Sequence, residues 1–165
     1  MDKMNGTIEI KNDIIFDAKA SAVPYNYRIS YKVSLICLII GKCCGKKGCS
    51  SIKLQMINAA ASSRKMKNEL FEIIDNPFLV ETTLIRFDPA ISRAINLAMA
   101  ENLIFRQANG LYRLTEKGKL LVSAIYEDKQ LMQVEKTLFS ELSNSLTEEI
   151  IERISSNWRP DDAKN

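Results

Sequence analysis

The sequence predicts a mainly α-helical chain with one small β-hairpin, arranged as a winged helix-turn-helix and followed by further C-terminal helices. Three observations carry this reading. Apolar residues recur at helical spacing through most of the chain, as in Ile91, Ala94, Ile95, Ala98 and Met99. Ala108-Asn109-Gly110 separates Leu103-Ile104-Phe105-Arg106-Gln107 from Leu111-Tyr112-Arg113-Leu114, and Asn-Gly between two such runs is the strongest short-range sign of a hairpin. Helix, hairpin and helix then follow in tight order, which is that of a winged helix-turn-helix with Asn109-Gly110 at the tip of the wing.

Taken in chain order, residues 1–29 read as an arm. An Ile14-Ile15-Phe16 run precedes Ala18-Lys19-Ala20-Ser21-Ala22-Val23-Pro24, and Pro24 biases Val23 toward extended backbone, so this piece lies on something rather than folding alone. Residues 30–126 are the expected winged-helix domain. Val33, Leu35, Ile36, Leu38, Ile39 and Ile40 make a first helix that is apolar nearly all round and hence central, with Ser30 as N-cap and Gly41 and the turn at 45–48 as its end. A second helix starts at Ser50 or Ser51 and carries Leu54, Met56, Ile57 and Ala60. A third runs from Ser62 or Ser63 to Asp75, with Met66, Leu70, Phe71, Ile73 and Ile74 inward and Arg64, Lys65 and Lys67 outward.

Asn76-Pro77 closes that helix, and residues 78–87, rich in β-branched and aromatic side chains, read as a strand. Asp88 suits an N-cap and Pro89 the first helical position of the helix before the wing. After the wing, Thr115 caps a helix through Leu120, Leu121, Ala124 and Ile125. Residues 127–165 form a third unit of amphipathic helices and a polar tail. Leu131, Val134, Leu138 and Leu142 mark one face; Ser145-Leu146-Thr147-Glu148 reads as a capping box opening a helix whose stripe is Leu146, Ile150, Ile154 and Trp158.

Charge is segregated along the chain. Between residues 18 and 68 the charged side chains are Lys19, Arg28, Lys32, Lys42, Lys46, Lys47, Lys53, Arg64, Lys65 and Lys67, without an acid among them, whereas acids outnumber bases from Glu127 onward. One end should therefore attract polyanions and the other repel them. The N-terminal residues lack the apolar run of a signal peptide, and the longest apolar stretch, at 33–40, falls far short of the roughly 20 residues that cross a bilayer. A soluble, cytoplasmic protein without a membrane partner is expected.

Chemistry has little to work with in this composition. The chain has no histidine, so the usual base near neutral pH is missing. Gly45-Lys46-Lys47-Gly48 lacks the spacing and the Lys-Ser/Thr ending of a phosphate-binding loop and reads as a basic turn between helices. Cys37, Cys43, Cys44 and Cys49 crowd into one stretch as reduced thiols would; zinc is the sharper alternative, although the spacing is not the paired knuckle of a structural site. No enzyme, catalytic residue, metal or cofactor is expected.

Binding is the remaining class. On the helix before the wing the outward residues are Ser92, Arg93, Asn96 and Glu101, a poor set for reading base edges. The candidate nucleic-acid contacts are instead Lys46, Lys47, Lys53, Arg64, Lys65 and Lys67, which would meet phosphates without reading sequence; the competing reading is a solvated basic face. Candidate partner contacts are Arg106 and Arg113 on the wing together with Leu131, Leu138, Phe139, Ile150, Ile154 and Trp158 on the C-terminal helices. Those apolar stripes either pack on the chain's own core or serve a partner.

Several motifs in a fixed order also resemble a known family. They are Tyr27-Arg28-Ile29-Ser30-Tyr31-Lys32, the Cys43-Cys44 pair with Gly48-Cys49-Ser50 and Lys53-Leu54, Arg86-Phe87-Asp88-Pro89-Ala90 with Arg93-Ala94, and the run from Asn109-Gly110 through Leu114-Thr115-Glu116-Lys117-Gly118. Over roughly residues 28–125 the chain resembles the small middle-component proteins of bacterial ABC-three-component systems, the group that includes the Lamassu defence systems. The resemblance implies a non-catalytic, kleisin-like subunit that sits with an SMC-like ABC ATPase and an effector, commonly a nuclease, in defence against phages or plasmids. The alternative from another class is a free winged-helix DNA-binding transcription regulator.

Overall fold

A computed structural model describes residues 24–76 and 87–156. The described residues form seven α-helices and a two-stranded antiparallel sheet. Helix α1 (Ile29–Cys43) is the axis of the molecule: Leu35 to Ile39 are completely buried, and α2, α4, α5, α6 and the hairpin all pack against it. A helix apolar on every side can be stable only when neighbours cover every side. It starts at Ile29 behind Arg28, with no side-chain cap from Ser30, and it continues past Gly41 to Cys43. Gly41 sits where Val122 and Leu114 press on the helix rather than at its end.

Helix α2 (Ser51–Ser62) begins at Ser50, whose hydroxyl accepts a hydrogen bond from the Lys53 amide at 3.2 Å. It is joined through Ser63 to α3 (Arg64–Asp75), on which Leu70 and Ile73 are buried while Met66, Phe71 and Ile74 are half-buried. The strand expected at 78–87 lies outside the described residues except for its last member, the exposed Phe87.

Helix α4 (Pro89–Ala100) is built as its start signal requires, with Asp88 Oδ1 accepting from the Ala90 amide at 2.9 Å and Ile91, Ala94, Ile95 and Ala98 buried against α1. A buried polar node fixes where this helix begins. Lys32 Nζ donates to Asn58 Oδ1 at 2.6 Å and pairs with Asp88 Oδ2 at 2.9 Å. Gln55 brackets the Asp88 backbone, accepting from its N–H at 2.9 Å and donating to its C=O at 3.1 Å. Partial burial alone would raise the Asp88 carboxyl, but the hydrogen bonds from Lys32, the Ala90 amide and Asn58, with the Lys32 charge, hold it below its ordinary value.

Strands β1 (Ile104–Arg106) and β2 (Tyr112–Leu114) pair in the register Ile104 to Leu114, Phe105 to Arg113 and Arg106 to Tyr112. Cys49 adds a short third rung by exchanging both backbone hydrogen bonds with Tyr112, at 2.9 and 2.8 Å. Helix α5 (Glu116–Glu127) follows, with Thr115 Oγ1 accepting from the Gly118 amide at 3.1 Å. A Cβ on Gly118 would fall 2.0 Å from the Leu103 carbonyl oxygen, so glycine alone lets the first turn of α5 sit against the start of the hairpin. The inward face of α5 is Val122 and Ile125; Leu120, expected inside, is 72% exposed, and Ala124 is exposed too. Leu121 and Ile125 of the expected stripe do face the core, Leu121 half-buried, and Gly118 makes the closest approach at the start of the helix.

Helix α6 (Gln133–Leu142) packs against α1 and α2, and α7 (Glu148–Ser156) against α2. The stripes lie inside in part: Leu138, Phe139, Leu142, Leu146, Ile151 and Ile154 belong to the same core as α1, whereas Leu131 and Val134, expected on the same face as Leu138, are 48% and 73% exposed. The core therefore runs straight across the boundary expected at 126/127. The expected capping box is also rearranged. Thr147, not Ser145, caps α7 through the Ile150 amide at 3.3 Å, and Glu148 reaches across the molecule to accept from the Ser50 amide of α2 at 3.0 Å.

Candidate nucleic-acid interface

The turn between α1 and α2 is made by Gly45 and Gly48, with φ of +57° and +104°. Gly48 is pinned under the hairpin: a Cβ there would meet Gln107 Nε2 at 2.6 Å and the Tyr112 carbonyl oxygen at 2.8 Å. Gln107 Nε2 also donates to the Lys47 carbonyl at 2.8 Å. Turn and hairpin are thereby one surface, and Lys46 and Lys47 lie exposed beside exposed Arg106 and Arg113. Arg113 lies along the turn, its Cγ 3.1 Å from where a Gly48 Cβ would sit, and Arg106 folds over the hairpin tip, with Nη2 at 3.6 Å from the corresponding point on Gly110.

No acid occurs in residues 43–47 or 104–114. Among the described residues these four bases have no ion-pair partner. Their charges are free to meet an anion.

The other sequence candidates are distributed differently. Lys53 is 3% exposed and does not lie on the outer surface with Lys46 and Lys47. Arg64 and Lys65 are exposed at the start of α3, at the far end of α2, about 18 Å of helix from Lys46 and Lys47 at 1.5 Å per residue. Lys65 approaches Glu69 at 3.7 Å, and Lys67 is tied to Glu141 of α6 at 2.6 Å. The charge segregation seen along the chain is thus undone in space. The acidic third folds back onto the basic third, through Lys67 and Glu141, through Tyr31 donating to the buried Glu135 at 2.7 Å, and through Ser50 and Glu148.

Of the expected partner contacts, Leu138, Phe139 and Ile154 are 3%, 1% and 0% exposed and are core residues of this chain. Ile150 is half-buried against the same core, Leu131 is exposed, and Trp158 lies outside the described residues. Arg106 and Arg113 are on the surface but belong with the basic turn. What the sequence did not reveal is the docking of Gly48 and Gln107, and the node of Lys32, Gln55, Asn58 and Asp88. Lys32, beside Val33 at the start of a largely apolar helix, was the available signal for the second.

All four cysteines are buried free thiols. Burial pushes Cys37 and Cys43 up to about 12, and burial and then the neighbouring Cys44 push Cys49 well up. Cys43, Cys44 and Cys49 point to three different carbonyls, those of Phe139, Ile39 and Ser50. Among the described residues no three Cys, Asp or Glu side chains converge as metal ligands do, and no described helix is long and apolar enough to cross a membrane. Compared with family models, with curated proteins and with solved structures, the chain matches none of them.

Proposed function

We propose that the chain is a non-catalytic winged-helix subunit that holds nucleic-acid phosphates within a larger protein assembly. The observation that carries this is the surface of Lys46, Lys47, Arg106 and Arg113, four exposed bases without an ion-pair partner among the described residues, built from a turn and a hairpin locked together and bordered on the lysine side by Glu148 and Glu149. The order α1, Cys49 rung, α2, α4, β1, β2 supports the winged-helix reading, with α3 and the residues up to 88 as an insertion between the second and third helices. The exposed residues of α4 include Ser92, Arg93, Asn96 and Leu97 and offer one base and one amide to a groove, so binding is positional rather than sequence-reading.

The motif resemblance supplies the assembly: an SMC-like ABC ATPase with an effector, commonly a nuclease, in cytoplasmic defence against phages or plasmids. With most of the C-terminal stripes inside the core, exposed apolar side chains that could serve such a protein partner include Leu131 and Val134 beside those helices, Leu120 on α5, and Tyr25, Tyr27 and Phe87 elsewhere. A free transcription regulator would instead need α4 to discriminate bases.

Two measurements test the reading. In titrations of two unrelated duplexes at several salt concentrations, reversing Lys46, Lys47, Arg106 and Arg113 to Glu should weaken both equally and reduce the salt slope by about 3–4, at roughly 0.9 per phosphate contact. A strong preference for one duplex, lost with Arg93→Ala, would favour the regulator. Co-purification with the products of neighbouring genes should recover a long coiled-coil ATPase.

A further inference from the structure

Lys53 is 3% exposed, yet among the described residues its ammonium has neither a hydrogen-bond nor an ion-pair partner. Every described side-chain nitrogen or oxygen that is fully withdrawn from solvent does have a partner. Lys53 Nζ therefore opens onto a space, and the space it lines is a cavity of about 420 Å³ between the turn at 43–48 and the start of α7. Lys46 and Lys47 line the same cavity, with Asn144 and Thr147 offering an amide and a hydroxyl.

Two carboxylates face these lysines, and both are engaged elsewhere. Glu148 Oε1 accepts from the Ser50 amide at 3.0 Å, and Glu149 pairs with Arg153 at 2.9 Å. Neither carboxylate forms an ion pair with the three ammonium groups, and three bases against two acids leave the lining positive. An ammonium on a side chain only 3% exposed and without an ion-pair partner gains when an anion meets it.

We propose that this cavity binds a phosphate monoester, its dianion seated on Lys53 with Lys46 and Lys47 at the rim. Three ammonium groups match the charge and the several acceptor oxygens of such a group better than they match a single carboxylate, and lysine binds phosphate as a point charge. The volume exceeds what a bare phosphate fills and leaves room for an attached group the size of a nucleoside. That group is either a free nucleotide or the 5′ end of a strand. Glu148 holds its carboxylate against the N-terminal amide of α2, where an anion is favoured, so it competes with the ligand.

The test uses the whole chain, calorimetric titration with inorganic phosphate and with AMP, and competition between 5′-phosphorylated and 5′-hydroxyl strands of one sequence. AMP should bind, Lys53→Met should weaken it by about tenfold or more, and Glu148→Gln should tighten it several-fold. Arg106→Glu with Arg113→Glu should weaken duplex binding and leave AMP binding intact, while Lys53→Met does the reverse. The two readings then fail separately. A preference for the phosphorylated strand assigns the cavity to strand ends, and AMP binding without that preference assigns it to a free nucleotide. Absence of phosphate and AMP binding by the wild-type chain, or equal AMP binding by Lys53→Met, overturns the proposal. If Lys53→Met does not fold, Glu148→Gln decides, and AMP binding that it leaves unchanged overturns the proposal as well.

Discussion

Lys32 and Lys53 are each 3% exposed, and they do opposite things. Lys32 is met by Asn58 and Asp88, and its charge closes a node that joins α1, α2 and the start of α4. Lys53 has no hydrogen-bond or ion-pair partner among the described residues and opens onto a cavity that Cys43, Glu148 and Glu149 also line. Burial by itself therefore says little about a lysine's role. The partner on the other side of the ammonium separates a structural charge from one held ready for a ligand.

The strongest way to break this comparison is Asp88→Ala. It strands the Lys32 charge inside the protein and removes the cap of α4, and the expected loss is about 3–5 kcal/mol of unfolding free energy in chemical denaturation. A loss below about 1 kcal/mol would show that Lys32 is not held by Asp88. Exchanging each lysine for methionine sharpens the contrast. Lys32→Met leaves Asn58 and Asp88 short of a donor, at about 1–3 kcal/mol, whereas Lys53→Met removes an uncompensated charge and should stay within about 1 kcal/mol of the wild type or stabilise it. The reverse order of the two variants would invert the assignment.

Acid titration separates the two sites again. The Asp88 carboxyl is lowered in the folded chain, so its contribution to stability is complete above the unfolded value of about 3.9 and is lost as pH falls from there through the folded value. Asp88→Asn should flatten this acid limb in pH-dependent melting, and Lys53→Met should leave it unchanged. The smallest effect concerns the thiols. With Cys37 and Cys43 raised to about 12 and Cys49 raised as well, iodoacetamide should label the native chain slowly and all four cysteines after unfolding. The Lys53 charge favours the Cys43 and Cys49 thiolates, so Lys53→Met should slow labelling further, and Lys32→Met should not.

What could be read in the sequence was local. Asp88-Pro89, Thr115 and Asn109-Gly110 act on backbone within a few residues, and the elements they open or turn are present as expected. The apolar stripes of α6 and α7 identified helices but not what those helices pack on, since periodicity names a buried face without naming the surface that buries it. Glu148 shows the limit most directly: Ser145 to Glu148 has the spacing of a local capping box, yet its carboxylate caps a helix 98 residues earlier in the chain. The basic surface was half legible, because Lys46 and Lys47 stand together in sequence but meet Arg106 and Arg113 only through the Gly48 and Gln107 contacts.

The Cys49 rung has a further consequence for how fast and how firmly an anion is held. Because Cys49 and Tyr112 exchange both backbone hydrogen bonds, the hairpin cannot swing without tearing the turn from its place. The backbone positions of two lysines and two arginines are set before any ligand arrives. A polyanion meeting them is left with only side-chain freedom to quench, about 0.5–1.5 kcal/mol for each side chain it immobilises, and no loop to order. A surface prepared in this way gains affinity through rigidity instead of through additional charge.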